Sequence, residues 1–136
     1  MIINFYKCEI RSLLELAVPV WHSGLTVKQS DQIESIQKIS LSLILNDFES
    51  PYFVKCTILN IEPLFLRRQS ICENFVMRTI KSQKHSNLFQ HKEKIYYTRS
   101  DPNTYAEYQC NSNRYFNSPL PFLTRTANQM LREKTK

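Results

Sequence analysis

His22 and Ser23 stand side by side next to Gly24, the only glycine of the chain. Nucleophilic catalysis by serine needs a base within hydrogen-bond reach and a third group to orient that base. Neighbouring side chains on a helix project about 100° apart, so adjacency in sequence does not bring the two together. The G-x-S-x-G turn that would expose such a serine is absent. The segment WHSGLT reads instead as a helix end, a glycine cap in the left-handed conformation and a new helix start.

Other chemistries fare no better. Nucleotidyl transfer needs paired carboxylates that hold two cations about 4 Å apart. Asp31, Asp47 and Asp101 fall in a predicted helix, a turn and a loop, and the glutamates are equally scattered. Cys8, Cys56, Cys72 and Cys110 form no C-x-x-C pair, which zinc and dithiol sites require. His85 and His91 lie in a polar stretch without partner ligands. A single glycine also excludes the phosphate cradles whose backbones approach the ligand closely. The expectation is a chain with no catalytic residue, no metal site and no cofactor.

Charge is the stronger signal. Of the net +6, residues 1–62 carry five Lys or Arg against seven Asp or Glu, and residues 63–136 carry thirteen against five. A basic second half fits an anionic partner, RNA or DNA being the commonest.

The elements that must position these residues follow from periodicity. Ile10, Leu13, Leu14, Ala17, Val18 and Trp21 repeat at helical spacing, with Pro19 expected to kink that helix. Leu16 and Val20 make it apolar nearly all round, as for a helix covered by a partner. Glu15 and the lack of a small-residue cleavage site argue against a signal peptide, and no apolar run is long enough to span a membrane. An intracellular location is expected.

Thr26-Val27-Lys28-Gln29 has the spacing of a capping box. It opens a helix to about Asn46, with Ile33, Ile36, Ile39, Leu43 and Ile44 inward and Asp31, Glu34 and Lys38 wet. A short helix, residues 51–59, should follow with Phe53, Val54 and Ile58 apolar. Pro63 then suits the first position of another helix, whose inner face is Leu64, Ile71, Cys72, Phe75, Val76, Thr79 and Ile80. Lys81 and Lys84 complement its C-terminal dipole, but Arg67 and Arg68 in the first turn oppose it. From residue 86 to 118 the period is lost, and short strands are an alternative there. Tyrosines alternate with Arg99 and Arg114, a pattern that either anchors a loop or stacks unpaired bases. A last helix is expected from Pro121 to Arg132, carrying Arg125. Together these predict one mainly α domain over residues 1–136, a small bundle of about four to five helices.

Four strings carry a resemblance. They are LELAVPVWHSGL (Leu14–Leu25), QSDQIESIQK (Gln29–Lys38), LNIEPLFLRRQSIC (Leu59–Cys72) and RYFNSPLPFLTRTAN (Arg114–Asn128). In this order they resemble the C-terminal region of reverse transcriptases from non-LTR (LINE-type) retrotransposons. The resemblance implies an RNA-directed DNA polymerase whose magnesium-binding palm lies upstream and outside this chain. It therefore implies an accessory helical fragment with that polymerase domain as a partner. Arg67, Arg68, Arg99, Arg114 and Arg125 become the expected nucleic-acid contacts, with Gly24, Thr26 and Gln29 as structural caps. A free-standing nucleic-acid- or protein-binding module, or a functionless relic of a mobile element, stand as alternatives.

Overall fold

In a computed structural model the chain is mainly α, of the helical-bundle class expected. Residues 2–82, 87–90 and 105–134 are described below. The elements are α1 (Ile2–Phe5), a π-helical stretch (Tyr6–Ile10), α2 (Arg11–Glu15), α3 (Val18–Trp21) and a 3₁₀ turn (His22–Gly24). They continue with α4 (Val27–Leu45), α5 (Tyr52–Ile58), α6 (Leu64–Lys81), α7 (Asn113–Phe116) and α8 (Pro119–Lys134). No helix among the described residues is long and apolar enough to cross a membrane.

Read from the sequence as one domain, the chain divides into two compact units. Residues 1–18 with 25–71 form the first, and residues 19–24 with 72–136 form the second.

Instead of one kinked helix over residues 10–21, the chain breaks. Leu16 turns extended and Ala17 takes φ 53°, in the left-handed region. Proline clashes with the carbonyl four residues before it, here that of Glu15, which ends α2. Pro19 itself sits in the first turn of α3, where its missing N–H is no loss.

The left-handed residue at this joint is therefore Ala17 and not Gly24. Gly24 has no positive φ, and a Cβ placed on it would meet nothing within 4 Å. Two opposite substitutions should both stabilise. Ala17→Gly removes a left-handed penalty of roughly 1–2 kcal/mol, less the entropy of the glycine. Gly24→Ala reduces unfolded-state freedom, for a gain of about 0.4–1 kcal/mol. Each should raise the thermal midpoint by a few degrees, and a lowered midpoint in either variant would contradict the local geometry.

In the first unit, Tyr6, Leu41, Cys56 and Ile61 make the core, with Ile3, Ile10, Ile44, Tyr52 and Leu59 packed against it. Helix α4 starts with a reciprocal box: Gln29 N–H donates to Thr26 Oγ1 at 3.3 Å, and Thr26 N–H donates to Gln29 Oε1 at 2.9 Å. It ends on Asn46 in the left-handed conformation.

The face that α4 buries corrects the expectation. Gln37, Leu41 and Ser42 are buried, while Ile36, Ile39 and Leu43 are exposed. Helix α5 likewise leaves its apolar residues outside. Lys55 and Cys56 are buried, and Phe53, Val54 and Ile58 face outward. The Lys55 ammonium donates to Ser42 Oγ at 2.8 Å, which ties α5 to α4.

Helix α6 presents Leu64, Arg68, Cys72, Val76 and Thr79 as its buried face. In the second unit α8 packs against the His22–Gly24 turn and against α7. His22 meets Phe122 edge-on, ring centroids 5.9 Å apart. Helix α8 begins earlier than predicted, since both Pro119 and Pro121 fit a first turn that needs no N–H from them.

Of the expected irregular segment, residues 91–104 lie outside the described residues, with Arg99, His91, Tyr96 and Tyr97; His85 lies outside too. Among those described, Tyr105 makes a single bridge, with Ala106 N–H donating to the Gln90 carbonyl at 2.8 Å. Residues 113–116, expected to be irregular, form α7. Ser112 caps it by accepting from the Tyr115 N–H at 3.2 Å.

Candidate nucleic-acid interface

The two arginines near the start of α6 go to carboxylates inside the first unit. Arg67 Nε lies 3.2 Å from Glu15 Oε1, which Arg11 also holds at 2.6 Å, and the Arg67 side chain keeps 42% of its surface exposed. Arg68 is fully buried. Its Nη2 donates to Ser30 Oγ at 2.7 Å and lies 3.9 Å from Glu34 Oε2. In this position the Arg68 guanidinium is buried against α4.

Glu34, expected on the wet side, is the hub of that contact. Its Oε1 accepts from the Tyr52 hydroxyl at 2.6 Å and from the backbone N–H of Leu64 at 2.9 Å, capping the start of α6. This resolves the anomaly of two cations in a first turn. The helix dipole that opposes them is outweighed by carboxylates presented from α2 and α4.

Gln37 extends the network. It accepts from the Tyr6 hydroxyl at 2.8 Å and donates to the Tyr52 hydroxyl at 2.9 Å and to the Glu62 carbonyl at 3.0 Å. Burial pushes the Tyr6 hydroxyl up to about 12. It raises Tyr52 too, helped by the hydrogen bond to the Glu34 carboxylate. Both phenols stay neutral donors across the physiological range, as the network needs.

Arg114 and Arg125 belong to the second unit. Arg114, Tyr115 and Phe116 are all exposed on the one turn of α7. The Arg125 guanidinium, from α8, lies over the Phe116 ring 3.6 Å from its centroid, and its Nη2 donates to the Phe116 carbonyl at 2.9 Å. Tyr115 meets Tyr108 edge-on at 6.4 Å. The result is a surface array of two arginines and two aromatic rings, in which one guanidinium is held flat by a ring and a carbonyl.

Beside it runs an open groove of about 450 Å³ lined by Glu107, Arg125, Asn128, Gln129, Arg132 and Glu133. Five of these share one face of α8 at helical spacing, and Glu107 supplies the opposite wall.

Asn128 fixes that wall. Its side chain, 2% exposed, accepts from the Tyr105 N–H at 2.7 Å and donates to the Tyr105 carbonyl at 3.1 Å, as a paired strand would. The same amide reaches Glu107 Oε1 at 3.4 Å. Tyr105 is buried against Phe89, with ring centroids 5.3 Å apart, so this tyrosine anchors its segment.

Among the described residues no group of three or more His, Cys, Asp or Glu side chains is placed to hold a metal ion. Of the five arginines singled out in the sequence, the structure sets Arg125 on Phe116, leaves Arg114 exposed on the same short helix as Phe116, and turns Arg67 and Arg68 to carboxylates. Sequence reasoning missed Glu34, Gln37 and Asn128 as hydrogen-bonded anchors. It had one clue to Glu34: cations in a first turn call for an acid from elsewhere. Comparison with family models, with curated proteins and with solved structures gives no match for this chain.

Proposed function

We propose that the chain is an accessory, non-catalytic piece of an intracellular RNA-directed DNA polymerase of the non-LTR retrotransposon kind. In this reading it contacts nucleic acid through the second unit. The observation that carries the contact is the Arg125–Phe116 stack, set beside the exposed Arg114 and Tyr115. Aromatic and guanidinium planes at a basic surface stack unpaired bases while the charges meet phosphates.

Two further features support the reading. Polar letters of the resembling strings hold each unit together: in the first, Glu15 meets Arg67 and Ser30 and Glu34 meet Arg68, and in the second Asn128 closes the last string on Tyr105. The first unit also leaves Ile36, Ile39 and Leu43 exposed along α4, an apolar stripe suited to the partner polymerase domain that the resemblance implies.

The test is equilibrium binding of labelled single-stranded RNA and DNA by the folded full chain across a salt series. Log affinity should fall linearly with log salt, and Arg114→Ala should flatten the slope by about 0.7, the loss of one single-strand phosphate contact. No binding at low salt would remove the nucleic-acid part of the proposal and leave the protein-binding module.

A further inference from the structure

The groove along α8 has features of a nucleotide site that the stacking array alone does not explain. At about 450 Å³ it falls within the range of small-molecule sites, roughly 300–1,000 Å³. Both of its walls are held. Arg125 is fixed by the Phe116 ring and carbonyl, and the Tyr105–Glu107 wall is fixed by the buried Asn128. Its charges are balanced, two arginines against two glutamates, so it is not built for a bare phosphate.

Glu133 is engaged along its own helix by Gln129 Nε2 at 3.2 Å. Glu107 is exposed, and its only hydrogen bond among the described residues is the long one from Asn128 to Oε1. A carboxylate offers two oxygens with about four lone-pair sites, so it can accept two parallel N–H bonds beside that contact.

Resting on the proposed nucleic-acid reading, we infer that this groove takes one unpaired guanine, its base stacked on the Arg125 guanidinium and its Watson–Crick edge on the Glu107 carboxylate. Guanine is the one RNA base that presents two adjacent N–H donors, N1–H and N2–H, on that edge. Uracil sets a single donor between two carbonyl oxygens, and adenine and cytosine each set a donor beside a ring-nitrogen acceptor. A carboxylate repels those acceptors. Arg114, exposed on the same unit, is then the cation for a flanking phosphate.

The experiment measures binding of the full chain to three labelled pentanucleotides, UUGUU, UUAUU and UUUUU, by fluorescence anisotropy at low salt. UUGUU should bind about tenfold more tightly than the other two, the discrimination expected of one good bidentate base contact. In Glu107→Gln the ratio should fall to about one, because the new amide places a donor against the guanine donors. Equal affinity of the wild-type chain for all three, or a preference that survives Glu107→Gln, overturns the guanine site while the binding of RNA by the array stands. Failure of all three to bind overturns both. Thermal unfolding of Glu107→Gln beside the wild type shows that the variant is folded.

Discussion

Replacing Glu34 by alanine should lower the unfolding free energy by about 3 kcal/mol, measured by urea denaturation at neutral pH. Three losses coincide. The Leu64 N–H at the start of α6 loses its acceptor, the Tyr52 hydroxyl loses a 2.6 Å hydrogen bond, and the buried Arg68 guanidinium loses its carboxylate. Breaking a buried ion pair by removing one partner costs about 3–5 kcal/mol, mostly because the other charge is stranded. The lower end applies here, since the contact is 3.9 Å long and the Glu34 side chain keeps 23% of its surface in water.

A second variant separates the charge from the hydrogen bonds. Adding Arg68→Met to Glu34→Ala removes the cation that faced Glu34 and should return roughly 1–3 kcal/mol, the coupling expected of contacting groups. A Glu34→Ala variant within 1 kcal/mol of the wild type would mean that the Arg68 charge is compensated without Glu34. The account of the α4–α6 contact given above would then fail.

Helix boundaries were legible because their signals are local. Thr26, Pro51 and Pro63 act through the backbone of their own turn, and each stands one residue before a helix start. The buried faces of α6 and α8 were legible as well, because Leu64, Cys72 and Val76 in one, and Leu123 and Ala127 in the other, recur at four- to eight-residue intervals. Even the burial of Arg68 is written in that pattern. It lies four residues from both Leu64 and Cys72, and only its charge argued for the surface.

The inward face expected of α4 differs from the buried one for a physical reason. Apolar residues in α4 occur at 27, 33, 36, 39, 41, 43, 44 and 45, spread round the helix, so periodicity selects no side. The choice falls to partners far along the chain: Tyr6, Tyr52 and Arg68 satisfy Gln37, Glu34 and Ser30, and an apolar face offers them no such bonds. Burial without a partner would cost each polar group more than an exposed isoleucine costs, so the hydrogen-bonded stripe goes inside. The break before Pro19 follows the same logic. The proline names the clash, but whether the chain bends or stops depends on packing that the sequence does not display.

Asn128 is the corresponding anchor of the second unit, and Asn128→Ala should cost about 3 kcal/mol. The substitution strands the buried N–H and C=O of Tyr105, each worth roughly 1–3 kcal/mol when left unsatisfied. Asn128→Asp distinguishes this account from a simple loss of packing. The introduced carboxylate still accepts from the Tyr105 N–H but faces the Tyr105 carbonyl and Glu107 with oxygen where the amide had donated. Its ionised form is disfavoured in the folded chain, so its folded pKa lies above its unfolded value. Protons are then bound more tightly by the folded state, and the deficit relative to the wild type should be fully present at pH 7 and shrink as pH falls through that raised pKa. Urea midpoints of the variant and the wild type between pH 7 and pH 4 measure the difference. A deficit that stays constant over that range would show that the Asn128 amide is not the donor that holds Tyr105 and Glu107. The groove wall beside Arg125 would then owe its position to the packing of Tyr105 on Phe89 alone.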